Sequence, residues 1–356
     1  MRLTKTVGQY LLGRGALDHL STLLEPALAK GGRAVYLVDH FFRDGALVAR
    51  LPRRPEDEVV FIDTTDEPTT EQVDALHVQA AARGKVAAVI GIGGGAVMDC
   101  AKALSNLLGN GGKAADYQGW DLLSKPGVFK VGIPTLSGTG AEASRTCVMM
   151  NHAKKLKLGM NSDHTVFDRL VLDPGLTATV PRNQYFYTGM DTYIHCVESL
   201  SGRYRHAMAD SFSKIALDLC REVFLGGDMQ GEEPREKLMV ASYLGGSAIG
   251  NSFVGVVHPL SAGLSMVLHV HHCVGNCIVM NVMDEFYPAE TGEFRKMMAV
   301  QGVSLPTGVT AGLDENGFRS LYEASIIHEK PLANALGDTF RDILTYEKMR
   351  GLFKRM

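Results

Sequence analysis

The strongest constraint on the fold is an alternation of short apolar runs with helical patterns, which stops near Pro181. Five runs rich in β-branched residues are typical of buried strands: residues 34–39, 59–63, 86–92, 131–134 and 170–173. Segments with helical spacing lie between several of them, at residues 45–51, 70–83 and 96–108. Alternating strands and helices indicate a parallel sheet covered by helices on both faces.

The pattern after Pro181 is helical only, with glycine and proline between the segments. Proline suits the first turn of a helix, because the N–H that it lacks would have no partner there. A chain of 356 residues is also longer than one ordinary core requires. We therefore predict two domains: an α/β domain over residues 1–180 and an all-helical domain over residues 181–356.

The composition fits a globular protein that has no nucleic-acid partner. Charged residues make up 21% of the chain and hydrophobic residues 46%, and the formal net charge is −3 with no extended basic patch. The N-terminal segment lacks the apolar core of a signal peptide. Six cysteines in apolar segments do not form a disulfide framework in a chain of this length. We expect buried thiols and a cytoplasmic location.

An uncharged segment from Met239 to Met283 contains no Asp, Glu, Lys or Arg, so a membrane span has to be weighed. The segment also holds several asparagines, four histidines and Pro259. Such polar groups are costly in lipid. We therefore expect buried helices around a functional site, and no membrane partner.

A first candidate binding segment follows the run at residues 86–92. Gly93, Gly94 and Gly95 come directly before a helical pattern that contains Ala96 and Asp99. Glycines let the backbone approach phosphates, and the N–H groups at a helix N-terminus face the anion. The spacing differs from the G-x-G-x-x-G fingerprint, and an ordinary glycine-rich turn remains an alternative.

A second candidate segment follows the run at residues 131–134. Thr135, Leu136, Ser137 and Thr139 lie there among glycines, and their hydroxyl groups and small volumes suit a ribose and phosphates. Two such loops at the carboxyl ends of parallel strands mark the place where these folds bind nucleotides. An ordinary Ser/Thr/Gly loop remains the other interpretation.

Asp39 ends the first strand of the predicted series. A carboxylate there can accept hydrogen bonds from an adenosine ribose and would repel a 2′-phosphate, which favours NAD over NADP. An aspartate at the end of a strand is, however, also a common turn former.

Candidate metal ligands lie in the second half of the chain. Asp191 and His195 are four residues apart in a helical stretch, so they project from one face. The uncharged segment supplies His258 and the group His269, His271 and His272. Imidazoles in an apolar region need partners, because unpaired buried polar groups are expensive.

The spacing of these histidines demands a turn. On one straight helix, His258 and His272 would lie about 21 Å apart, too far for a single cation. A turn must intervene, at Gly263 or within residues 269–275. Cys273 and Cys277 allow a rival interpretation, a local His/Cys zinc knot, although one Cys-x3-Cys pair is weak support.

These segments together resemble the iron-containing (group III) alcohol dehydrogenase family. The resemblance covers most of the chain and includes Gly93 to Ala96 with Asp99 and Lys102, Pro134 and Thr135 with Gly138 to Gly140 and Glu142, Asp173 and Pro174 with Leu176 and Thr177, Gly189 to Asp191 with His195 and Glu198, Gly255 with His258, and His272 with Asn276. The family's ligand pattern is Asp-x3-His, a distant His, and a further His about fourteen positions on. The sequence matches it at Asp191, His195, His258 and His272.

The resemblance implies a Rossmann-like dinucleotide-binding domain and an all-α metal-binding domain, the fold shared with dehydroquinate synthase. It implies Fe²⁺ or Zn²⁺, NAD, an alcohol or sugar-acid substrate and a homodimer. We expect Lys157 and Leu176 to join the glycine loops in binding NAD. The chain also resembles the branch that oxidises the C8 hydroxyl of 3-deoxy-D-manno-octulosonate (Kdo), a sugar acid of lipopolysaccharide, with NAD or oxygen as acceptor.

Two positions depart from the family pattern. Many members carry a second histidine four residues after the third ligand, where this chain has Ala262, and the last ligand is normally followed by Gly instead of Cys273. The missing histidine leaves His271, a substrate hydroxyl or water as the proton acceptor. Rival functions are a dehydrogenase for small alcohols or diols, a dehydroquinate synthase-like lyase, a cofactor-recycling oxidase and a non-catalytic nucleotide-binding module.

Overall fold

A computed structural model describes residues 4–356 and divides the chain into two compact units. The first unit continues to Lys154 and also includes Leu158–Thr179. The second unit comprises Lys155–Lys157 and Val180–Met356. Apart from the start of β8 (Leu156–Asn161), the strands therefore belong to the first unit, and the second unit is helical.

The first unit is built on a six-stranded sheet in which every pair of neighbours is parallel. Its strand order is β1-β9-β6-β4-β2-β3. The strands are β1 (Gln9–Leu12), β2 (Arg33–Asp39), β3 (Glu58–Ile62), β4 (Val86–Gly93), β6 (Phe129–Pro134) and β9 (Arg169–Leu172). The central strands β2 and β4 are almost wholly buried, as expected when both faces of a parallel sheet are covered.

Three α-helices accompany this sheet: α1 (Leu20–Leu28), α2 (Thr70–Ala82) and α3 (Gly95–Asn110). A smaller sheet has the order β5-β8-β7, formed by β5 (Gly119–Trp120), β7 (Thr146–Asn151) and β8 (Leu156–Asn161). The main hydrophobic core packs the apolar face of α1 against β2, β4 and β6. This core fixes the carboxyl ends of the strands, from which the candidate binding loops emerge.

The parallel α/β fold is confirmed, and all five predicted strands are present within one or two residues. The expected helix over residues 45–51 is wrong: only a single 3-10 turn, Val48–Arg50, forms there. Asp39 ends β2 and not the first strand, because β1 precedes it at the edge of the sheet. The short β1 and the small sheet were not predicted. β1 and β5 have only four and two residues, whereas β8 does alternate apolar and polar residues, the pattern that indicates a strand.

The second unit is helical. Its helices are α4 (Arg182–Ser201), α5 (Ala207–Phe224), α6 (Glu232–Ser252), α7 (Val257–Leu268), α8 (His272–Met280), α9 (Pro288–Gln301), α10 (Glu315–Ile326), α11 (Glu329–Leu336), α12 (Phe340–Ile343) and α13 (Tyr346–Phe353). No single helix among residues 4–356 has the length and hydropathy to span a membrane. α6 and α7 are long and apolar enough only when taken together, and the angle between them is 102°.

A buried ion pair joins the starts of β2 and β3. Arg33 Nη1 lies 2.8 Å from Glu58 Oε2, and both side chains are only about one-twentieth exposed. Glu58 also accepts hydrogen bonds from Gln79 and Arg83. Burial alone would raise the pKa of Glu58, but the hydrogen bonds from Gln79 and Arg83 and the charge of Arg33 lower it below its ordinary value.

We predict that Glu58→Gln lowers the free energy of unfolding by about 3 kcal/mol at pH 7, because it leaves the buried Arg33 without its counter-charge. A carboxylate whose pKa is lowered on folding stabilises the protein above its unfolded pKa, near 4.3. This stabilisation is lost as the pH falls through the folded pKa. Urea titrations from pH 8 to pH 3.5 should show a constant deficit in the variant at high pH that begins to shrink below the unfolded pKa, about 4.3.

Glu56→Gln is the matched control, since Glu56 is about half exposed in its pair with Arg54. It should cost no more than about 1 kcal/mol. A Glu58→Gln deficit that stays constant across the pH range would contradict the role given to the buried carboxylate.

Candidate active site

Two of the four predicted metal ligands lie on α4. Asp191 and His195 are one turn apart, and both side chains are almost completely buried. His195 Nε2 lies 3.6 Å from Asp191 Oδ1. The helical spacing therefore places a carboxylate and an imidazole side by side on one face.

The other two ligands lie on either side of a helix break. α7 ends at Leu268 and α8 begins at His272. The turn between them passes through His269, whose φ of 55° is in the left-handed region, and Ser265 Oγ donates to the Val270 carbonyl at 2.8 Å. The required turn therefore lies at residues 269–271, whereas Gly263 stays inside α7.

The break brings all four side chains together. Asp191 carboxylate oxygens lie 3.3 Å from His258 Nε2 and 3.6 Å from His272 Nε2. Ligand atoms of Asp191, His195 and His258 all lie within 4.8 Å of one another. Tetrahedral ligands at bond lengths of about 2.1 Å are about 3.4 Å apart. The spacing of Asp191, His195 and His258 therefore fits the ligands of a single divalent transition-metal ion, and His272 adjoins this group at Asp191.

The charge state of the cluster suits a cation. Burial alone would raise the pKa of Asp191, but His195, His272 and His258 lower it well below its ordinary value. Burial lowers the pKa of His195 to about 4, so its ring is neutral at pH 7. Burial would also lower the pKa of His258, but Glu198 and Asp191 raise it to about 9. A buried carboxylate thus faces three imidazoles, and the protonated His258 would offer its Nε2 lone pair once a bound cation displaces that proton.

Asn276 completes the surroundings of the cluster. Its Nδ2 donates to Asp191 Oδ1 at 2.6 Å and lies 3.3 and 3.2 Å from the Nε2 atoms of His258 and His272. The alternative zinc knot does not form. Cys273 Sγ faces Asp191 Oδ2, and Cys277 Sγ instead faces the Tyr187 carbonyl.

Glu198 contacts His258 from the side opposite the cluster. The carboxylate, on α4, is 1% exposed, and its Oε2 is hydrogen-bonded to His258 Nδ1. Glu198 and Asn276 are among the residues that carry the family resemblance, but the sequence assigned neither of them a role. The available signal was the position of each, one turn along its helix from His195 or from His272.

His271 and Ala262 lie close to the ligands in the chain. His271 is exposed at the start of α8, and no hydrogen bond or ring contact among residues 4–356 joins its imidazole to the cluster. Ala262 is half-buried on α7, one turn after His258. The role of His271 as proton acceptor remains a prediction.

The predicted glycine segment makes a close approach to the second loop within the first unit. Gly94 precedes α3 and Gly95 begins it. A Cβ at Gly94 would lie 2.7 Å from Leu136 Cδ1, and one at Gly95 would lie 3.2 Å from Thr139 Cγ2. The two loops are therefore packed closely, and a side chain at either glycine would require Leu136 or Thr139 to shift.

The second loop presents polar groups at this contact. The Thr135 N–H donates to the Gly93 carbonyl at 3.0 Å, which ties the two strand ends together. Ser137 Oγ is buried and has no hydrogen-bond partner among residues 4–356. Thr139 Oγ1 accepts from the Ala141 N–H at 3.3 Å. An orphan buried hydroxyl beside a helix N-terminus fits a site for a polar, anionic ligand.

Asp39 lies beside the same segment. A Cβ at Gly93 would lie 3.1 Å from the Cβ of Asp39. The Asp39 carboxylate accepts from the Phe41 N–H at 3.0 Å and from Thr64 Oγ1 at 3.2 Å. Asp39, the glycines and the second loop therefore lie together at the carboxyl ends of neighbouring strands.

The remaining predicted cofactor residues do not all lie in the first unit. Ala96 follows Gly95 in the first turn of α3, and Asp99 accepts from the Val148 N–H at 2.9 Å. Leu176 packs against the core of the first unit. Lys157 groups with the helical unit, where its charge lies near His328; burial, aided by this charge, lowers the pKa of His328 to about 4.

Two family models match the chain along most of its length. "Iron-containing alcohol dehydrogenase" matches residues 8–174, and "Fe-containing alcohol dehydrogenase family, C-terminal" matches residues 185–321. Among curated relatives, the NAD-dependent methanol dehydrogenase of Bacillus methanolicus is 27% identical, covering 96% of this chain and 93% of that protein. The sulfoacetaldehyde reductase of Bilophila wadsworthia is 28% identical, covering 78% and 68% respectively.

Solved structures show the same fold. The alcohol dehydrogenase of Oenococcus oeni superposes with a TM-score of 0.84 at 19% identity, over 99% of this chain and all of that one. The sulfoacetaldehyde reductase of Bifidobacterium kashiwanohense, solved in complex with NAD+, gives a TM-score of 0.81 at 20% identity, over 99% and 98%. The chain therefore belongs to the iron-containing alcohol dehydrogenase family, and it is a metal-dependent alcohol oxidoreductase.

Proposed function

We propose that this enzyme oxidises a primary alcohol to an aldehyde, with NAD as hydride acceptor and Fe²⁺ held by Asp191, His195, His258 and His272. The observation that carries the proposal is the convergence of Asp191, His195 and His258 at spacings that suit the ligands of a single cation, with His272 beside Asp191. Zn²⁺ accepts the same donors and is the alternative metal.

The bound cation would act as a Lewis acid that lowers the pKa of the substrate hydroxyl, and NAD would accept the hydride. The protein's own contribution is positioning and charge. Asp191 supplies the negative charge that retains the cation, and Gly93 to Gly95 let backbone N–H groups approach the pyrophosphate. The exposed His271 can exchange a proton with water, and we assign it as the proton acceptor.

We further propose that the substrate is a bulky polyhydroxylated acid, the C8 hydroxyl end of Kdo. The support is Ala262, which lies one turn from His258 where a larger imidazole is common in the resembled family. Alanine leaves volume for a chain of hydroxyl groups, and those hydroxyls supply additional proton acceptors.

The cellular setting is also a proposal. All six cysteines are buried free thiols, which suits a reducing cytoplasm. The resemblance supports a homodimer. A net charge of −3 gives no attraction for nucleic acid or for an anionic membrane surface.

We expect His258→Ala to lose stoichiometric iron and at least 100-fold in activity, because a three-donor remnant binds the cation much more weakly. Metal content after Fe²⁺ loading and desalting measures the first effect. His269→Asn is the control: His269 is exposed, and asparagine tolerates its left-handed conformation. Full iron retention in His258→Ala would contradict the ligand assignment.

Asp39→Ala should lower the ratio of the Kd for NADP to the Kd for NAD by about 10-fold or more. The reason is that the substitution removes like-charge repulsion against a 2′-phosphate. Isothermal calorimetry with both cofactors on the metal-loaded enzyme measures the two Kd values. Asp18→Ala, an exposed carboxylate in the same unit, should leave their ratio unchanged. An unaltered ratio in Asp39→Ala would show that Asp39 only forms the turn.

Ala262→His should lower kcat/KM for Kdo by about 10-fold or more while sparing small primary alcohols, because the imidazole fills the volume that a sugar acid needs. Ala262→Ser is the control, because it changes the residue but adds only one hydroxyl group and leaves most of the volume free. Steady-state assays on Kdo, propanol and 1,3-propanediol give the comparison. A wild type that prefers propanol and ignores Kdo would reject the sugar-acid assignment and leave the alcohol dehydrogenase intact.

A further inference from the structure

We propose that Glu198 is a positioning residue that fixes both the start of α7 and the orientation of His258 within the proposed metal site. The inference rests on the proposed function, because it assigns His258 as a ligand. Glu198 itself would not bind the metal, since both of its oxygens are already engaged with α7.

The carboxylate caps α7. Val257 is the first residue of that helix, and its N–H donates to Glu198 Oε1 at 2.6 Å. N–H groups in the first helical turn have no acceptor within the helix, and a negative charge at this end is favourable. One carboxylate thereby anchors the residue directly before His258.

The second oxygen sets the tautomer of His258. A backbone N–H can only donate, so Oε1 is committed to Val257. Oε2 is an acceptor as well, so His258 Nδ1 must carry the proton that it shares with Glu198. In the neutral ring, the lone pair is then on Nε2, the atom that lies 3.3 Å from Asp191 Oδ1. The cluster needs this tautomer for His258 to act as a ligand.

The surroundings of Glu198 are closely packed. The side chain is 1% exposed, and a Cβ at Gly255 would lie 3.2 Å from Oε1 and 2.6 Å from the hydroxyl of Tyr287. His195 is held differently: its ring stacks on His258 at a centroid distance of 4.7 Å, and its Nδ1 has no hydrogen-bond partner among residues 4–356. The carboxylate therefore orients His258, and the stacking transmits that orientation to His195.

Two substitutions separate carboxylate chemistry from packing. Glu198→Gln keeps the volume, but its amide oxygen must accept from Val257, which turns the NH₂ group toward His258 Nδ1. This favours the tautomer with a proton on Nε2 and removes the lone pair needed for metal binding. Glu198→Asp keeps two acceptor oxygens with a shorter reach. We expect the Kd for Co²⁺ to rise about 10- to 100-fold in Glu198→Gln and only about 3- to 10-fold in Glu198→Asp.

The test is Co²⁺ titration of the full-length enzyme, followed by the visible d–d absorption of the bound ion. Glu293→Gln is the matched control: Glu293 is a partly buried carboxylate of the same unit that accepts from Arg221 and Tyr193, so its loss should change the urea midpoint without changing the Kd. Circular dichroism of the metal-free variants establishes folding.

A packing role for Glu198 predicts the opposite order, with glutamine close to wild type and aspartate worse, and that result would overturn the proposal. Should the glutamine variant not fold, the size of the effect in Glu198→Asp decides: a 3- to 10-fold rise in Kd supports the proposal, and an unchanged Kd or a loss of Co²⁺ binding contradicts it. Failure of the wild type itself to bind Co²⁺ would instead refute the metal site.

Discussion

The burial of one carboxylate, Asp191, is the interaction on which the helical unit depends. A charge removed from water is expensive unless opposite charge and hydrogen bonds surround it. The segment from Met239 to Met283 contains no charged side chain to do this. The compensation comes from imidazoles on α4, α7 and α8 and from the amide of Asn276, so α4, α7 and α8 must converge on one point.

The first unit prepares a different kind of binding surface. It uses backbone groups and small side chains in place of buried charge. Glycines 93–95 bring the start of α3 against Leu136 and Thr139, and the nearby Ser137 hydroxyl is left without a partner. Such a surface suits an anion with its own charge, whereas the helical unit presents a carboxylate that suits a cation. The proposed function accordingly assigns the dinucleotide to the first unit and the cation to the helical unit.

Much of the fold was predictable because buried parallel strands and amphipathic helices leave strong periodic patterns. The five apolar runs and the pair Asp191 and His195 were found in this way. The segment at residues 45–51 misled because a short apolar stretch fits a 3-10 turn as well as a helix. β1 and β5 were missed because strands of four and two residues carry little hydrophobic signal, whereas the alternation of Leu156, Leu158 and Met160 does indicate β8.

The site was predictable to a lesser degree. Spacing alone required a turn between His258 and His272 but did not locate it, and the left-handed His269 showed where it lies. Glu198 and Asn276 gave only a positional signal, one turn along the helix from His195 and from His272, because the role of a residue that orients a ligand is recognised from its contacts. The choice of His272 over His269 and His271 likewise depended on resemblance and not on chemistry.

The most direct test of the central claim is a crystal structure of the Fe²⁺-loaded enzyme with anomalous scattering measured at the iron edge. We predict one strong anomalous peak about 2.0–2.2 Å from an Asp191 oxygen and from the Nε2 atoms of His195, His258 and His272. A peak at Cys273 and Cys277, or none among these residues in a protein that holds stoichiometric iron, would contradict the account.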